Sequence, residues 1–357
     1  MLRNSQRTIA WTAVTLTVLL ITVGGLVTNT DSGLACPDWP TCFGTPFPKL
    51  VGGVLMEHGH RYLATGVGFL TVLLVLAAQL DRPRSLVLPL LFAMPLILGG
   101  STWAGIAKHH TGAVPPLATA LVLAGYALGF VSMIRERGGA RLAQGALLLV
   151  ITQGLLGGVT VMYQLPPTIL VLHLATSILF LGVLVWFAVR ADPSADDATT
   201  QTPRDGSLSG LARIWLPVSA LAIYLQIVLG AAVRHTGAGL VCIEWLCRGV
   251  LWPTNVHPAV HLHMAHRALA ILVGLIVIAT AAIVRFLALR ANDRVGAGLA
   301  IAMAILVVVQ IALGIATIAT IKDIWAVTAH LFVAALLFSV CVALTARMPR
   351  SASTVAA

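Results

Sequence analysis

The chain has 357 residues, of which 59% are hydrophobic and 10% charged, and its mean hydropathy is +0.96. This composition excludes an ordinary soluble globular protein and is typical of a chain that crosses a membrane repeatedly. A formal net charge of +10 would favour nucleic acid as the partner of a soluble protein, so the placement of the basic residues has to decide.

Apolar runs of about 20 residues, each long enough to cross a hydrocarbon core of about 30 Å, occur at ten places. We therefore predict an all-α, polytopic membrane protein that lies in the lipid bilayer. The runs begin near Thr8, Val54, Ser85, Gly112, Leu142, Thr168, Leu211, Ala259, Val295 and Ile324.

The basic residues are unevenly divided between the two sides of these ten spans. With the N-terminus in the cytoplasm, fifteen Lys and Arg residues fall inside and five outside: Lys49, Lys108, Arg234, Arg248 and Lys322. Because cytoplasmic loops carry the excess of positive charge, we predict that both termini are cytoplasmic. The expected location is the bacterial cytoplasmic (inner) membrane. The charge then gives no reason to expect nucleic acid.

An internal repeat relates the two halves of the chain. Moving 206 positions along the sequence carries the first outer loop and the following span onto a second copy, and moving 157 positions does the same for later spans. The matched pairs are Cys36 and Cys242, His60 and His266, Arg61 and Arg267, Gln153 and Gln310, and His173 and His330.

The two offsets differ by 49 residues, the length of one helical hairpin. We predict two pseudosymmetric four-helix bundles, related by a parallel repeat, with an extra transmembrane hairpin in the first half at about 83–137. The first half is residues 1–190 and the second is residues 213–347. A polar cytoplasmic linker, 191–212, joins them, and the tail, 348–357, is expected to be disordered.

Four cysteines lie in outer loops, and a fifth, Cys341, lies in the last span. Cys36 and Cys42 share the first outer loop, and Cys242 and Cys247 share a later one. Close cysteine pairs in an oxidising compartment favour disulfides over a metal site, because each loop offers only two thiols.

Four of the eleven histidines lie at one depth, five to seven residues from the outer ends of their spans: His60, His173, His266 and His330. A lone histidine of this kind is more often a core residue. Four at one level, paired by a repeat, instead favour axial ligation of two hemes, one in each half. Arg61 and Arg267 follow two of these histidines and could contact the heme propionates or reach the lipid headgroups.

Glu57 breaks the symmetry of the two halves. Its repeat equivalent is His263, so only the first half has a carboxylate one helical turn outside its ligand. This difference favours a working site in the first half and a storage or relay site in the second. The alternative is a surface carboxylate stabilised at a helix N-terminus.

The chain resembles the heme A synthase family in DSGLACPDWPTC, EHGHR, QGLLGG with the later HL, and the diverged copies HMAHR and AHL. The resemblance implies oxidation of a ring methyl of heme O to a formyl group, with water as the oxygen source. It also implies that His60 and His173 hold heme O, and that Glu57 is catalytic. His266 and His330 would hold the iron of heme b, the cofactor. A membrane partner that produces heme O is expected, and the electron acceptor is left open.

Two other classes fit parts of the pattern. A diheme b-type cytochrome that takes electrons from quinol would use the same four histidines, but it gives Glu57 and the loop cysteines no role. A transporter built from parallel repeats would place polar residues at the membrane midplane, whereas here they lie near the outer face.

Overall fold

The computed structural model describes residues 2–79, 84–191, 207–244, 246–250 and 252–348, and within these ranges the regular structure is helical, without strands. The predicted all-α class is thereby confirmed. The predicted linker and tail lie largely outside these ranges. The ten long helices are α1 (Leu2–Asn29), α2 (Gly52–Gln79), α3 (Arg84–Thr111), α4 (Pro116–Arg135), α5 (Gly138–Met162), α6 (Pro167–Arg190), α7 (Ser207–His235), α8 (Pro258–Arg290), α9 (Arg294–Ala319) and α10 (Ile324–Arg347).

Nine of the helices in the described ranges are long and apolar enough to span a bilayer, which confirms a multi-pass membrane protein. The helix that is not among them is α3, which carries Pro89 and Pro95 in its interior. An internal proline removes a backbone hydrogen bond and crowds the preceding turn. That α3 crosses the membrane therefore stays a prediction.

Contacts divide the chain into two compact units, the first ending at Phe187 and the second beginning at Ala188. In the first unit α2 packs against both α1 and α5, while α3 and α4 pack mainly against each other and then against α5. Gly125 permits the close approach of α3 and α4, since a Cβ atom there would lie 2.6 Å from Cγ1 of Ile97. The α3–α4 hairpin thus lies beside the helices that carry the site.

The second unit is a closed ring of four helices, in which α7, α8, α9 and α10 each contact the next and α10 contacts α7. Its polar contacts define the helix ends. The Asp293 carboxylate caps α9 by accepting from the N–H of Gly296 at 2.9 Å, and it pairs with the guanidinium of Arg347 at 3.1 Å. Asp323 caps α10 in the same way, accepting from the N–H groups of Trp325 and Ala326.

The orientation of the α3–α4 hairpin leads to a testable prediction. Because α3 ends at Thr111 and α4 begins at Pro116, a hairpin that spans the bilayer brings residue 110 to the outer side and Arg84 and Arg137 to the cytoplasmic side. Reporter fusions after Arg84 and Arg137 should read cytoplasmic, and a fusion after His110 should read external. A cytoplasmic reading at His110 would show that the hairpin does not cross.

Candidate functional site

The four candidate ligands occupy matching positions in the two units. His60 is eight residues after Gly52, the first residue of α2, and His266 is eight residues after Pro258, the first residue of α8. His173 and His330 are each six residues after the first residues of α6 and α10. All four rings are half-buried. The structure therefore gives the two units the same pair of imidazoles at the same depth.

Each of these rings lies against a glycine on a neighbouring helix. A Cβ atom on Gly24 of α1 would lie 3.0 Å from Cε1 of His60, and one on Gly230 of α7 would lie 3.0 Å from Cε1 of His266. These two glycines are themselves 206 residues apart, as the two histidines are. A side chain at either glycine would displace the ring.

The second pair of contacts repeats this arrangement. A Cβ atom on Gly157 of α5 would lie 3.8 Å from Cε1 of His173, and one on Gly314 of α9 would lie 3.2 Å from Cε1 of His330. The glycine and the histidine ring are therefore closer together in the second unit. Each of the four imidazoles thus packs against a glycine of a neighbouring helix. Helix packing, and not a flexible loop, fixes the position of these four candidate ligands.

These donors fit heme. Neutral imidazoles on separate helices of a bundle are a common axial ligand set for heme iron. Each unit supplies two of them. In addition, Nδ1 of His60 and Nδ1 of His330 are buried without a hydrogen-bond partner among the described residues. A buried nitrogen without a partner is costly unless it binds something.

The two units differ in what touches the rings. In the second unit the Nε2 amide of Gln226 lies 3.1 Å from Nδ1 of His266 and donates to the carbonyl of the same residue at 2.8 Å. The Nε2 amide of Gln310 lies 3.2 Å from Nε2 of His330. Both imidazoles of the second unit are therefore held by glutamine side chains.

In the first unit these contacts are replaced. The position equivalent to Gln226 is Leu20, which has no amide to offer. Gln153, the equivalent of Gln310, instead bonds the hydroxyls of Thr176 and Ser177, the latter donating at 2.6 Å. Because Val333 and Ala334 occupy the matching positions of α10, the second glutamine has no such hydroxyls to bond.

Glu57 is buried, with 5% of its surface exposed, and both of its oxygens are engaged. Oε2 accepts from the backbone N–H of Cys36 at 2.8 Å, and Oε1 forms an ion pair with Arg61 one turn further along α2. Burial excludes a freely solvated surface carboxylate. Glu57 is thus held on α2 against the first outer loop, one helical turn from His60.

Arg61 and Arg267 make equivalent contacts to the outer loops. Arg61 donates to the carbonyls of Asp38 and Thr41, at 2.9 and 2.6 Å. Arg267 donates to the carbonyls of Glu244 and Cys242, at 2.7 and 2.5 Å. In both units the guanidinium fastens the loop to the helix that carries the ligand. That either contacts a propionate stays a prediction.

The first outer loop is built around Asp38. Its carboxylate accepts from the Thr41 hydroxyl and from the N–H groups of Phe43 and Gly44, the latter two at 2.6 and 2.9 Å. Burial acts to raise the pKa of Asp38, but these hydrogen bonds outweigh it and hold the pKa below its ordinary value. The loop is therefore an ordered structure above the end of α2.

The cysteine pairs are joined as predicted. The structure contains the Cys36–Cys42 and Cys242–Cys247 disulfides, and Cys341 is buried as a free thiol. Thiol labelling of denatured protein from its native membrane should accordingly find one reactive cysteine before reduction and five after it. Five reactive cysteines before reduction would contradict both disulfides.

The sequence analysis missed the residues that touch the ligands. The four glycines and Gln226 have no chemistry that singles them out, although both glycine pairs obey the repeat offsets, 206 for Gly24 and Gly230 and 157 for Gly157 and Gly314. His58 has no histidine as its repeat partner and so was not among the candidate residues. The structure places that ring under the first disulfide, with Nδ1 3.9 Å from Sγ of Cys36.

Comparison with known proteins identifies the family. The family model COX15-CtaA, described as cytochrome oxidase assembly protein, matches residues 7–52 and 116–342, which is more than half of the chain and includes part of each unit. The chain belongs to this family. The match omits 53–115, and so omits α2, with Glu57 and His60, as well as α3. The assignment of α2 to the site depends instead on the repeat and on its contacts with α1 and α5.

Individual relatives extend over most of the chain. A protein named heme A synthase from Symbiobacterium thermophilum is 29% identical over 80% of this chain and 78% of its own length. Its namesake from Geobacillus kaustophilus is 29% identical over 94% and 90%, and that from Halalkalibacterium halodurans is 27% identical over 90% of each. With these bacterial relatives and nine helices apolar enough to span a bilayer among the described residues, the chain is a multi-pass bacterial membrane protein.

Proposed function

We propose that this chain is a heme A synthase, which converts heme O to heme A by oxidising a ring methyl to a formyl group. The observation that carries the proposal is the repeated imidazole pair, seated on glycines in both units, in a chain whose relatives bear this name. The family and its relatives support an enzyme that acts on heme. The oxidoreductase class follows from the chemistry of the conversion.

Conversion of a methyl group and one water molecule to a formyl group releases four protons and four electrons, which must leave the site separately. We propose that Glu57 acts at the substrate methyl, because a carboxylate there can accept protons and stabilise positive charge as the carbon is oxidised. Its contacts with Cys36 and Arg61 hold it in one position beside α2. Preorganisation of this kind lowers the cost of reaching the transition state.

The difference between the units supports a division of roles. A resident cofactor benefits from ligands held by second contacts, which orient the ring and increase metal affinity. The amide nitrogens of Gln226 and Gln310 lie 3.1 and 3.2 Å from ring nitrogens of His266 and His330, so these side chains restrict how the two rings can rotate. We therefore assign heme b to the second unit and heme O to His60 and His173 of the first unit, where Leu20 stands at the position of Gln226 and Gln153 bonds the hydroxyls of Thr176 and Ser177.

Heme b bound by His266 and His330 would supply one-electron redox chemistry, taking electrons from the substrate site toward an acceptor. These two histidines would fix the position of the heme. Arg267, which follows His266 on α8, would contact its propionates. We further propose that heme O is supplied by a membrane enzyme that produces it, because so apolar a substrate is best transferred within the bilayer.

The test is to purify the protein from two otherwise identical hosts, one able and one unable to make heme O, and to identify the extracted hemes by mass. We expect heme b in both preparations, and heme A only where heme O is made. Heme b alone in both preparations would contradict the proposal and favour the diheme cytochrome.

A further inference from the structure

His58 and the first disulfide form a buried cluster that the proposed reaction does not use. Cys36 and Cys42 have no exposed surface, and His58 has 3%. The two sulfurs and one ring nitrogen all lie within 4.8 Å of one another. Two cysteine sulfurs and an imidazole this close together are typical of the ligands that bind zinc once the sulfurs are reduced.

The hydrogen bonding of His58 leaves Nδ1, the ring nitrogen nearer to Cys36, available to bind a metal ion. Nε2 lies 3.1 Å from the carbonyl oxygen of Pro46, which can only accept, so Nε2 carries the proton. Nδ1 therefore has its lone pair free on the side of Cys36. The hydroxyl of Tyr62 donates to the same carbonyl, and the rings of Tyr62 and His58 lie nearly perpendicular with their centroids 4.5 Å apart. Metal-binding histidines usually donate their second N–H to such a carbonyl.

The distances suit a metal once the sulfurs are reduced. Ligands on one tetrahedral zinc, with Zn–S near 2.3 Å and Zn–N near 2.0 Å, lie roughly 3.5 Å from one another. Nδ1 of His58 is 3.9 Å from Sγ of Cys36 in the oxidised structure. Reduction breaks the bond between the sulfurs, so that Cys42 can move to a similar separation.

We propose that reduction of the Cys36–Cys42 disulfide by a dithiol opens a zinc site formed by Cys36, Cys42 and His58. The dithiol is oxidised to a disulfide as it transfers two electrons and two protons to the pair. Zinc binding then displaces the two thiol protons, and a water completes the four ligands. The ion would keep the loop attached to α2 after the covalent bond between the cysteines is lost.

The second unit provides an internal comparison. There the position equivalent to His58 is Met264, and Cys242 and Cys247 pack with Met264, Val260 and Val256 in an apolar cluster. A thioether is a poor ligand for zinc. Among the described residues, no imidazole nitrogen forms such a compact group with Cys242 and Cys247. Full reduction of the protein should therefore create one zinc site and not two.

The experiment uses the purified holoprotein, reduced with a phosphine and incubated with Zn²⁺, then desalted and analysed for zinc per chain. We expect about one zinc after reduction and none bound at this site before it. His58→Gln should weaken zinc binding, measured against a chromogenic chelator, by at least roughly tenfold. His261→Gln is the matched control, because His261 also contacts a proline carbonyl, that of Pro253, but has no cysteine pair in contact.

Three results would overturn the proposal. They are equal zinc binding with and without reduction, unchanged binding in His58→Gln, and retention of the zinc in the Cys36→Ser/Cys42→Ser variant. Two zinc ions per reduced chain would likewise show that a cysteine pair suffices and that His58 is not a ligand. Heme content, measured on the same samples, verifies that each variant is folded.

Discussion

Glu57→Gln is expected to leave both heme sites filled and to stop the conversion. The amide can still accept from the N–H of Cys36, and both axial ligands of the first unit are unchanged. It cannot accept a proton from the substrate. Loss of a positioned acid or base lowers a rate by a factor of roughly 100 to 10,000. Extracted heme should therefore be heme O, or a hydroxylated form of it, with little heme A.

The same samples show whether Glu57 takes part in the reaction or only holds the first outer loop against α2. Glu57 also pairs with Arg61, so a purely structural role would loosen the loop and the helix together. If it does, Glu57→Gln should lose bound heme, and its Cys36–Cys42 disulfide should be reduced faster by a mild dithiol than that of the wild type. The catalytic assignment instead requires normal heme content and a protected Cys36–Cys42 pair. Wild-type levels of heme A from this variant would remove the carboxylate from the reaction.

His266→Ala is expected to lose heme b itself. The substitution removes the proposed axial ligand and leaves the space beside Gly230, which the His266 ring fills, empty. Because even removal of a residue that only orients a ligand lowers metal affinity 10- to 100-fold, loss of the ligand should reduce heme b per chain by about tenfold or more. Heme spectra normalised to protein concentration measure this directly.

Two variants calibrate that result. Gln226→Leu keeps the proposed ligand but gives the second unit the residue that the first unit has at Leu20, so heme b should remain bound, more weakly than in the wild type and with a shifted reduction potential. His261→Gln changes a histidine on the same helix, one that contacts Pro253 in the loop, and should leave heme b at its normal level. A normal heme b level in His266→Ala would contradict the ligand assignment.

The sequence indicates which histidines are candidate ligands, but it says little about the residues that surround them. Periodicity and the 206-residue offset identify His60 and His266, because a repeat preserves both the residue and its depth in a span. They cannot show what lies opposite, since that depends on how each helix is rotated against its neighbour. The contacts of Gly24 with His60 and of Gly230 with His266 therefore required the structure.

Glu57 illustrates the same limit. Its asymmetry with His263 could be read from the sequence, but its two partners could not. One is a backbone N–H in a loop, and the other is Arg61, which also bonds two loop carbonyls. The geometry of an irregular loop depends on local turns and on its contacts with the helix, neither of which has a periodic pattern. His58 could not be recognised from the sequence for the same reason, since its contacts are with Cys36 and Pro46 of that loop.

The central claim is that heme O is oxidised at His60 and His173 while heme b is held elsewhere. The most direct test is the mass spectrum of hemes extracted from His60→Ala/His173→Ala protein, made in a host that supplies heme O, beside the wild type. The account predicts heme b at its normal level and no heme A. Heme A at the wild-type ratio to heme b in this variant would contradict it.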